Sequence, residues 1–262
     1  METSESTLHE RYHELHALRG EALERYGRLP YPQTGGPPAK VYFPAIGSVE
    51  PYKSARLGPM IISDYPPIAQ IALLEFSRLR VPVRVLEIGP GRGVLAALLQ
   101  RRFPDIVQAY YGMELDPHVS GPYRRVARLD EVDGPIDVVI ASEVIEHMPA
   151  EVFYAQFLAP LGGILAPGAF MLTSVPNPLV PGGIVRDFTH VQNYPWYDLY
   201  AILRLGFEEV EITKTHYVCN FPRLFGLLPR MLLTSLQELD WTEGLIGIAR
   251  RPVPPRISHG NG

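Results

Sequence analysis

Residues 84–99 read RVLEIGPGRGVLAALL, an apolar run that breaks at three glycines and resumes at helical spacing. The run VRVLEI predicts a strand buried on both faces, and the segment from Val94 predicts a helix. Between them Gly89, Gly91 and Gly93 carry no Cβ, so the chain can turn tightly and a ligand can approach the backbone. The helix behind them aims its free N–H groups at whatever sits over the turn. The dinucleotide fingerprint G-x-G-x-x-G would put a small residue at position 94, but valine stands there and the glycine falls one place early. An acid, Glu87, precedes the loop.

The same alternation continues outward. Apolar β-type runs at 107–113, 136–141 and 169–175 alternate with helical segments near 93–102, 149–160 and 195–205, the pattern of parallel βαβ units. In such an α/β, doubly wound sheet, ligands sit beyond the carboxyl ends of the strands where the strand order reverses. FEEVEIT at 207–213 predicts a further strand, and LIGIA at 245–249 a last one that returns to the sheet. A helix is expected to start at Ser63 or Asp64, with Pro66 and Pro67 in its first turn, and to run to about Arg80. Leu8 to Tyr26 reads as an amphipathic covering helix. Residues 30–60 hold too many prolines and glycines for regular elements and read as an ordered lid or strap. The expected organisation is therefore a cover over 1–60, a ligand-binding α/β domain over 61–252 with an apolar helical insertion near 216–240, and a tail over 253–262.

Composition excludes several classes of function. A chain of 262 residues, 46% hydrophobic, can bury a sizeable core. Its formal charge of −4 supplies no global field toward nucleic acid or an anionic membrane, which favours a small-molecule partner. The single cysteine, Cys219, forms no internal disulfide, and the first residues are acidic where a signal peptide is basic, so a cytoplasmic location is expected. No apolar run approaches the roughly 18 residues of a membrane span. A monomer or a homodimer is compatible with all of this.

E-x-G-x-G-x-G, here Glu87 to Gly93, resembles motif I of the class I S-adenosylmethionine-dependent methyltransferases. IDVVIASEVIEHMP (136–149), LAPGAFMLTSVPNP (165–178) and THVQNYPWYDLYAILRLGFEEVEI (189–212) are similar to that family's fourth-strand, fifth-strand and late helix-and-strand segments, in the same order. Ala169 departs from the usual second glycine of L-x-P-G-G. The resemblance implies a seven-stranded, mostly parallel, Rossmann-like sheet and S-adenosylmethionine as methyl donor. It implies a cofactor site of Glu87, Gly89, Pro90, Gly91, Gly93, Glu114, Leu115, Asp130 and Ser142, with Glu114 of GMELDP on the ribose hydroxyls and Asp130 near the adenine.

SEVIEH puts Glu143, Glu146 and His147 at the carboxyl edge of the fourth strand, and spacings of three and four bring them to one side if the segment is helical. His190 follows the fifth strand and can reach the same rim. E-x-x-E-H with a later histidine resembles the metal set of small-RNA 2′-O-methyltransferases and of ubiquinone-pathway O-methyltransferases. Three roles stay open: these four residues hold a divalent ion such as magnesium that prepares an acceptor hydroxyl, His147 with Glu146 acts as a metal-free base, or the cluster is structural. Tyr194, Trp196 and Tyr197 are candidates for an acceptor pocket or for core. His9, His13 and His16 read as a solvated helix face. The expected function is methyl transfer to a small hydroxylated acceptor, with RNA 2′-O-methylation and a non-catalytic cofactor-binding module as rivals.

Overall fold

The structure is a computed structural model that describes residues 8–26, 67–179, 189–217 and 242–254. The proline- and glycine-rich segment, the expected start at Ser63 or Asp64, most of the 216–240 insertion, Cys219 and most of the tail lie outside the described residues.

Helix α1 spans Tyr12–Tyr26 and α2 spans Pro67–Arg78. Strand β1 (Val83–Ile88) leads into α3 (Val94–Arg102), followed by β2 (Val107–Met113) and a two-residue β3 (Arg124–Arg125). Strand β4 (Ile136–Ser142) ends in a 3₁₀ turn at Ile145–His147. Next come α4 (Ala150–Phe153), a π-helical turn at Tyr154–Leu158 and α5 (Ala159–Leu161), where one unbroken helix was expected. Pro160 has no N–H to give to the preceding turn and its ring crowds the carbonyl four residues back, so the helix widens there. Strand β5 (Leu165–Pro176), α6 (Trp196–Arg204), β6 (Phe207–Tyr217) and β7 (Thr242–Pro252) complete the chain.

The seven strands form one sheet in the order β3-β2-β1-β4-β5-β7-β6. All pairs from β3 to β5 are parallel, whereas β7 runs antiparallel to both of its neighbours. Successive residues of the central strands serve opposite faces, as the pleat requires. Val85, Val138 and Ile140 join Phe76, Leu99 and Phe103 in one core, while Leu86, Ile88, Val139 and Ala141 join Phe153, Leu199 and Tyr200 in the other. Covered on both sides, β1 and β4 need the continuous apolar runs seen in the sequence.

Order reverses between β1 and β4, both of which pair with each other and then diverge toward β2 and β5. The glycine turn after β1 therefore opens at the switch point. Helix α1 lies on α6: Tyr200 donates to Glu21 at 2.8 Å, Arg11 donates to the Tyr154 hydroxyl at 2.7 Å, and the Leu8 N–H reaches Glu151 at 2.8 Å.

Candidate active site

Gly89, Gly91 and Gly93 all take positive φ, at 65°, 52° and 70°. A Cβ on Gly89 would lie 2.6 Å from Val144 Cγ2, and one on Gly93 would lie 2.7 Å from Pro122 Cδ. Backbone conformation and space thus both demand glycine at these two positions. The turn hands over to α3 with no side-chain cap at Gly93, so the first helical N–H groups point outward without a partner of that kind.

Two cavities meet at this turn, since Gly89 lines both. One, of about 650 Å³, is lined by Glu87, Pro90, Gly93 and Ser142. The other, of about 460 Å³, is walled by Met113, Leu115, Val144 and Met148, with Glu114 and Asp130 beside them. Leu115 is 88% exposed, an apolar side chain that leaves the wall of its cavity open.

Glu114 stitches the loop. Its Oε2 accepts from the Gly91 N–H at 2.9 Å and its Oε1 from the Asp116 N–H at 3.0 Å. A carboxylate offers about four lone-pair directions, so room remains on both oxygens for two more donors. Tyr123 donates its hydroxyl to the Gly91 carbonyl at 2.8 Å, and its ring fills the space that a Cβ on Gly93 or Gly112 would need. Arg125 fixes the next turn by donating to the carbonyls of Glu114, Asp116 and Val119.

Glu87 is buried beneath the loop, and Tyr110 donates to it at 2.6 Å. Burial pushes its carboxyl up to about 7, with the Tyr110 hydrogen bond pulling the other way. Asp130 is exposed on the far wall and pairs with Arg128.

At the end of β4 the backbone kinks. Glu143 has φ 52°, an uncommon left-handed conformation for a residue with a side chain, and its N–H donates to the Ser174 carbonyl at 3.0 Å. Its carboxyl is raised by desolvation, offset by a hydrogen bond to Ser174 and by the charges of His190 and His147. Beyond the kink, one ligand atom from each of Glu146, His147 and His190 lies within 4.8 Å of the others. Glu143 stands outside that group: the segment is a kink and a 3₁₀ turn, so helical spacing does not align all three acidic and histidine side chains.

Two anchors hold the cluster. The Glu146 carbonyl accepts from the N–H groups of Val191 at 2.9 Å and Gln192 at 3.0 Å, which brings His190 against His147 with ring centroids 4.8 Å apart. Thr189 holds His147 through Nδ1, by its hydroxyl at 2.9 Å and its carbonyl at 3.3 Å. A carbonyl can only accept, which favours the proton on Nδ1 and a lone pair on Nε2. Tyr194 is buried beside this cluster, and desolvation together with the charge of Glu146 raises its hydroxyl pKa.

The family profile described as "Methyltransferase domain" matches residues 64–211, more than half of the chain. The chain belongs to the class I S-adenosylmethionine-dependent methyltransferases. A stretch of 104 residues is 35% identical to a protein of Mycolicibacterium smegmatis described as "Probable S-adenosylmethionine-dependent methyltransferase", a match that covers 36% of this chain and only 38% of that protein's length. A solved S-adenosylmethionine-dependent methyltransferase from Archaeoglobus fulgidus shares the fold at a TM-score of 0.50 and 19% identity, over 64% of this chain and 86% of its own.

For this methyltransferase chain, the sequence-named residues Glu87, Gly89, Pro90, Gly93, Glu114, Leu115, Asp130 and Ser142 all line one of the two cavities, and Gly91 reaches them through Glu114. Four contributors were not named from sequence. Tyr110 and Thr189 left no signal. Tyr123 left one, because Gly112 inside a strand marks a close approach by another group. Val144 fills the space above Gly89 and could not be foreseen without the kink at Glu143.

Proposed function

We propose that this chain transfers a methyl group from S-adenosylmethionine to the oxygen of a small hydroxylated acceptor, and that Glu146, His147 and His190 prepare that oxygen. The single observation that carries the reading is a Cβ-free cradle, open to two cavities and edged by the Glu114 carboxylate, with a histidine cluster on the neighbouring strand end.

The residues present fit the donor. The cavity walled by Met113, Leu115 and Met148 suits a flat base, the spare lone pairs of Glu114 suit a vicinal diol, and Glu87 suits the cationic amino group of the methionine part. When bound, S-adenosylmethionine supplies a methyl group on a positively charged sulfur. The acceptor oxygen that gains this carbon must give up its proton. His147 Nε2, held ready by the Thr189 contacts at Nδ1, takes it.

A divalent ion fits the same three side chains. Two imidazoles and one carboxylate suit a borderline ion such as zinc, manganese or iron better than magnesium, which prefers oxygen throughout. Held there it would lower the pKa of a bound hydroxyl.

RNA as acceptor draws no support from the arginines of the 124–128 segment. Arg124 pairs with Asp133, Arg128 with Asp130, and Arg125 is spent on backbone carbonyls, which leaves these three no free stripe for phosphate. A non-catalytic module would need its acceptor side blocked, for which residues 30–60 and 216–240 are the candidate segments; 30–60 and 218–240 lie outside the described residues.

The test is transfer of label from S-adenosylmethionine to a panel of phenols, catechols and short RNA, with the metal content of the purified chain measured alongside. His147→Ala is expected to lower turnover by about a hundredfold or more while S-adenosylhomocysteine binds within a few fold of wild type. Turnover that is indifferent to this change rejects the role of His147.

A further inference from the structure

The larger cavity at the glycine turn, of about 650 Å³, carries charges of both signs on its wall. Glu87 is its acid, and Arg92 and Arg101 are its bases. The rest of the wall is largely apolar, with Ile68, Ala69, Val94 and Leu98 among its residues. Both arginines are exposed, and among the described residues neither enters an ion pair or a side-chain hydrogen bond, whereas Arg124, Arg128 and Arg250 are each paired with an acid. Opposite charges set in an apolar wall suit a ligand that carries an amine and an acid on a short chain.

The backbone on either side of Arg92 is pinned. The Gly91 N–H is held by Glu114 at 2.9 Å, and the Gly93 N–H donates to the Pro90 carbonyl at 2.9 Å. A Cβ on Gly121 would lie 2.8 Å from the Arg92 carbonyl oxygen, so the chain packs closely at Arg92 itself. What stays free to adjust is the side chain, which starts from a fixed point on the same cavity wall as Glu87. Arg101 stands two turns along α3, its Cα about 10 Å from that of Val94 down the helix axis and so away from the turn.

The methionine end of S-adenosylmethionine bears its ammonium and its carboxylate on one carbon, so the group that holds the first limits where the second can lie. Resting on the donor reading above, which sets the ammonium at Glu87, we propose that the Arg92 guanidinium holds the donor's carboxylate and makes the site select nucleosides that retain it. The planar fork can meet both carboxylate oxygens, which the ammonium of a lysine cannot do. Donor and product carry the same carboxylate, so the contact strengthens the binding of both and S-adenosylhomocysteine reports on it. Arg92 is a binding and specificity residue, and Arg101 contributes only its charge at a distance.

The test is calorimetric titration of the full chain with three ligands: S-adenosylhomocysteine, its decarboxylated analogue, and 5′-methylthioadenosine, which lacks the amino-acid end altogether. Wild type is expected to prefer S-adenosylhomocysteine over the decarboxylated analogue by about ten- to fiftyfold. In Arg92→Gln that preference is expected to shrink to about twofold or less, in Arg92→Lys to an intermediate value, and in Arg101→Gln to stay within about twofold of wild type. Methylthioadenosine is expected to bind all four proteins within about twofold, which shows that the turn is intact. A wild type indifferent to the carboxylate, a preference that survives in Arg92→Gln, or equal losses in Arg92→Gln and Arg101→Gln overturns the contact and leaves the donor reading standing. So does a loss of methylthioadenosine binding in Arg92→Gln as large as the loss of S-adenosylhomocysteine binding, because Arg92 then acts through the turn. Failure of the wild type to bind either S-adenosylhomocysteine or methylthioadenosine overturns the donor reading, and the Arg92 contact falls with it.

Discussion

Glu87 shows at the scale of one residue how a site is bought with stability. Its carboxyl stays protonated up to about pH 7 because burial penalises the charge more than the Tyr110 hydrogen bond rewards it. The folded state thus holds this proton more tightly than the unfolded chain, whose carboxyl titrates at its ordinary value of 4.5. The associated stability is fully present below about pH 4.5 and is lost as the pH rises through 7, a difference of about 3 kcal/mol. Glu87→Gln keeps an acceptor for Tyr110 and removes the charge. It is expected to raise the urea midpoint at pH 8, to flatten the pH dependence between 5 and 8, and to weaken S-adenosylmethionine binding. Parallel stability curves for the two proteins between pH 5 and 8 would contradict this assignment. Gly89→Ala meets both a φ of 65° and the Val144 methyl at 2.6 Å, so a loss of about 1–3 kcal/mol is expected in chemical denaturation, with donor affinity falling at least tenfold. The sequence showed which glycines were special, since spacing reveals a turn. It did not show Tyr110, Tyr123 or Thr189, whose roles come from contacts made across 23, 32 and 42 residues of chain.

Among the elements, β1 and β4 were legible to within a residue because both of their faces are buried, which forces an apolar run with clear ends, and β2 was legible from its apolar end at Tyr110–Met113 although Gln108 is exposed. Strand β3 left no such mark: two exposed arginines make a strand only because β2 offers them an edge. Periodicity over 149–160 predicts a single helix, since it does not reveal where a turn widens to π. The segment after β4 misled for a related reason. Spacing in SEVIEH suggests one helical face, but the kink at Glu143 takes that residue out of the Glu146, His147 and His190 group. Glu143→Gly relieves a left-handed conformation, and is expected to stabilise the chain by about 1 kcal/mol in thermal melts while lowering transfer activity. An unchanged or lower melting temperature would show that Glu143 is not strained. Helix α1 is held at its start by Arg11, which donates to Tyr154 and pairs with Glu14. In Arg11→Ala, faster amide exchange is expected across α1, with exchange in β1 and β4 unchanged.

At the scale of the whole molecule, the switch point between β1 and β4 organises the site. It puts the glycine turn and the histidine cluster on adjoining strand ends. A chain with a net charge of −4, and with Arg124 and Arg128 paired to Asp133 and Asp130, is suited to a small acceptor. The most direct test is calorimetric titration of S-adenosylhomocysteine into the full chain and into Gly93→Val, whose branched side chain would strike Pro122 and Tyr123. One binding event per chain in the wild type, lost in the variant, is the expected result. No heat in the wild type, or equal affinity in the two proteins, would contradict the claim that the turn after β1 holds the methyl donor.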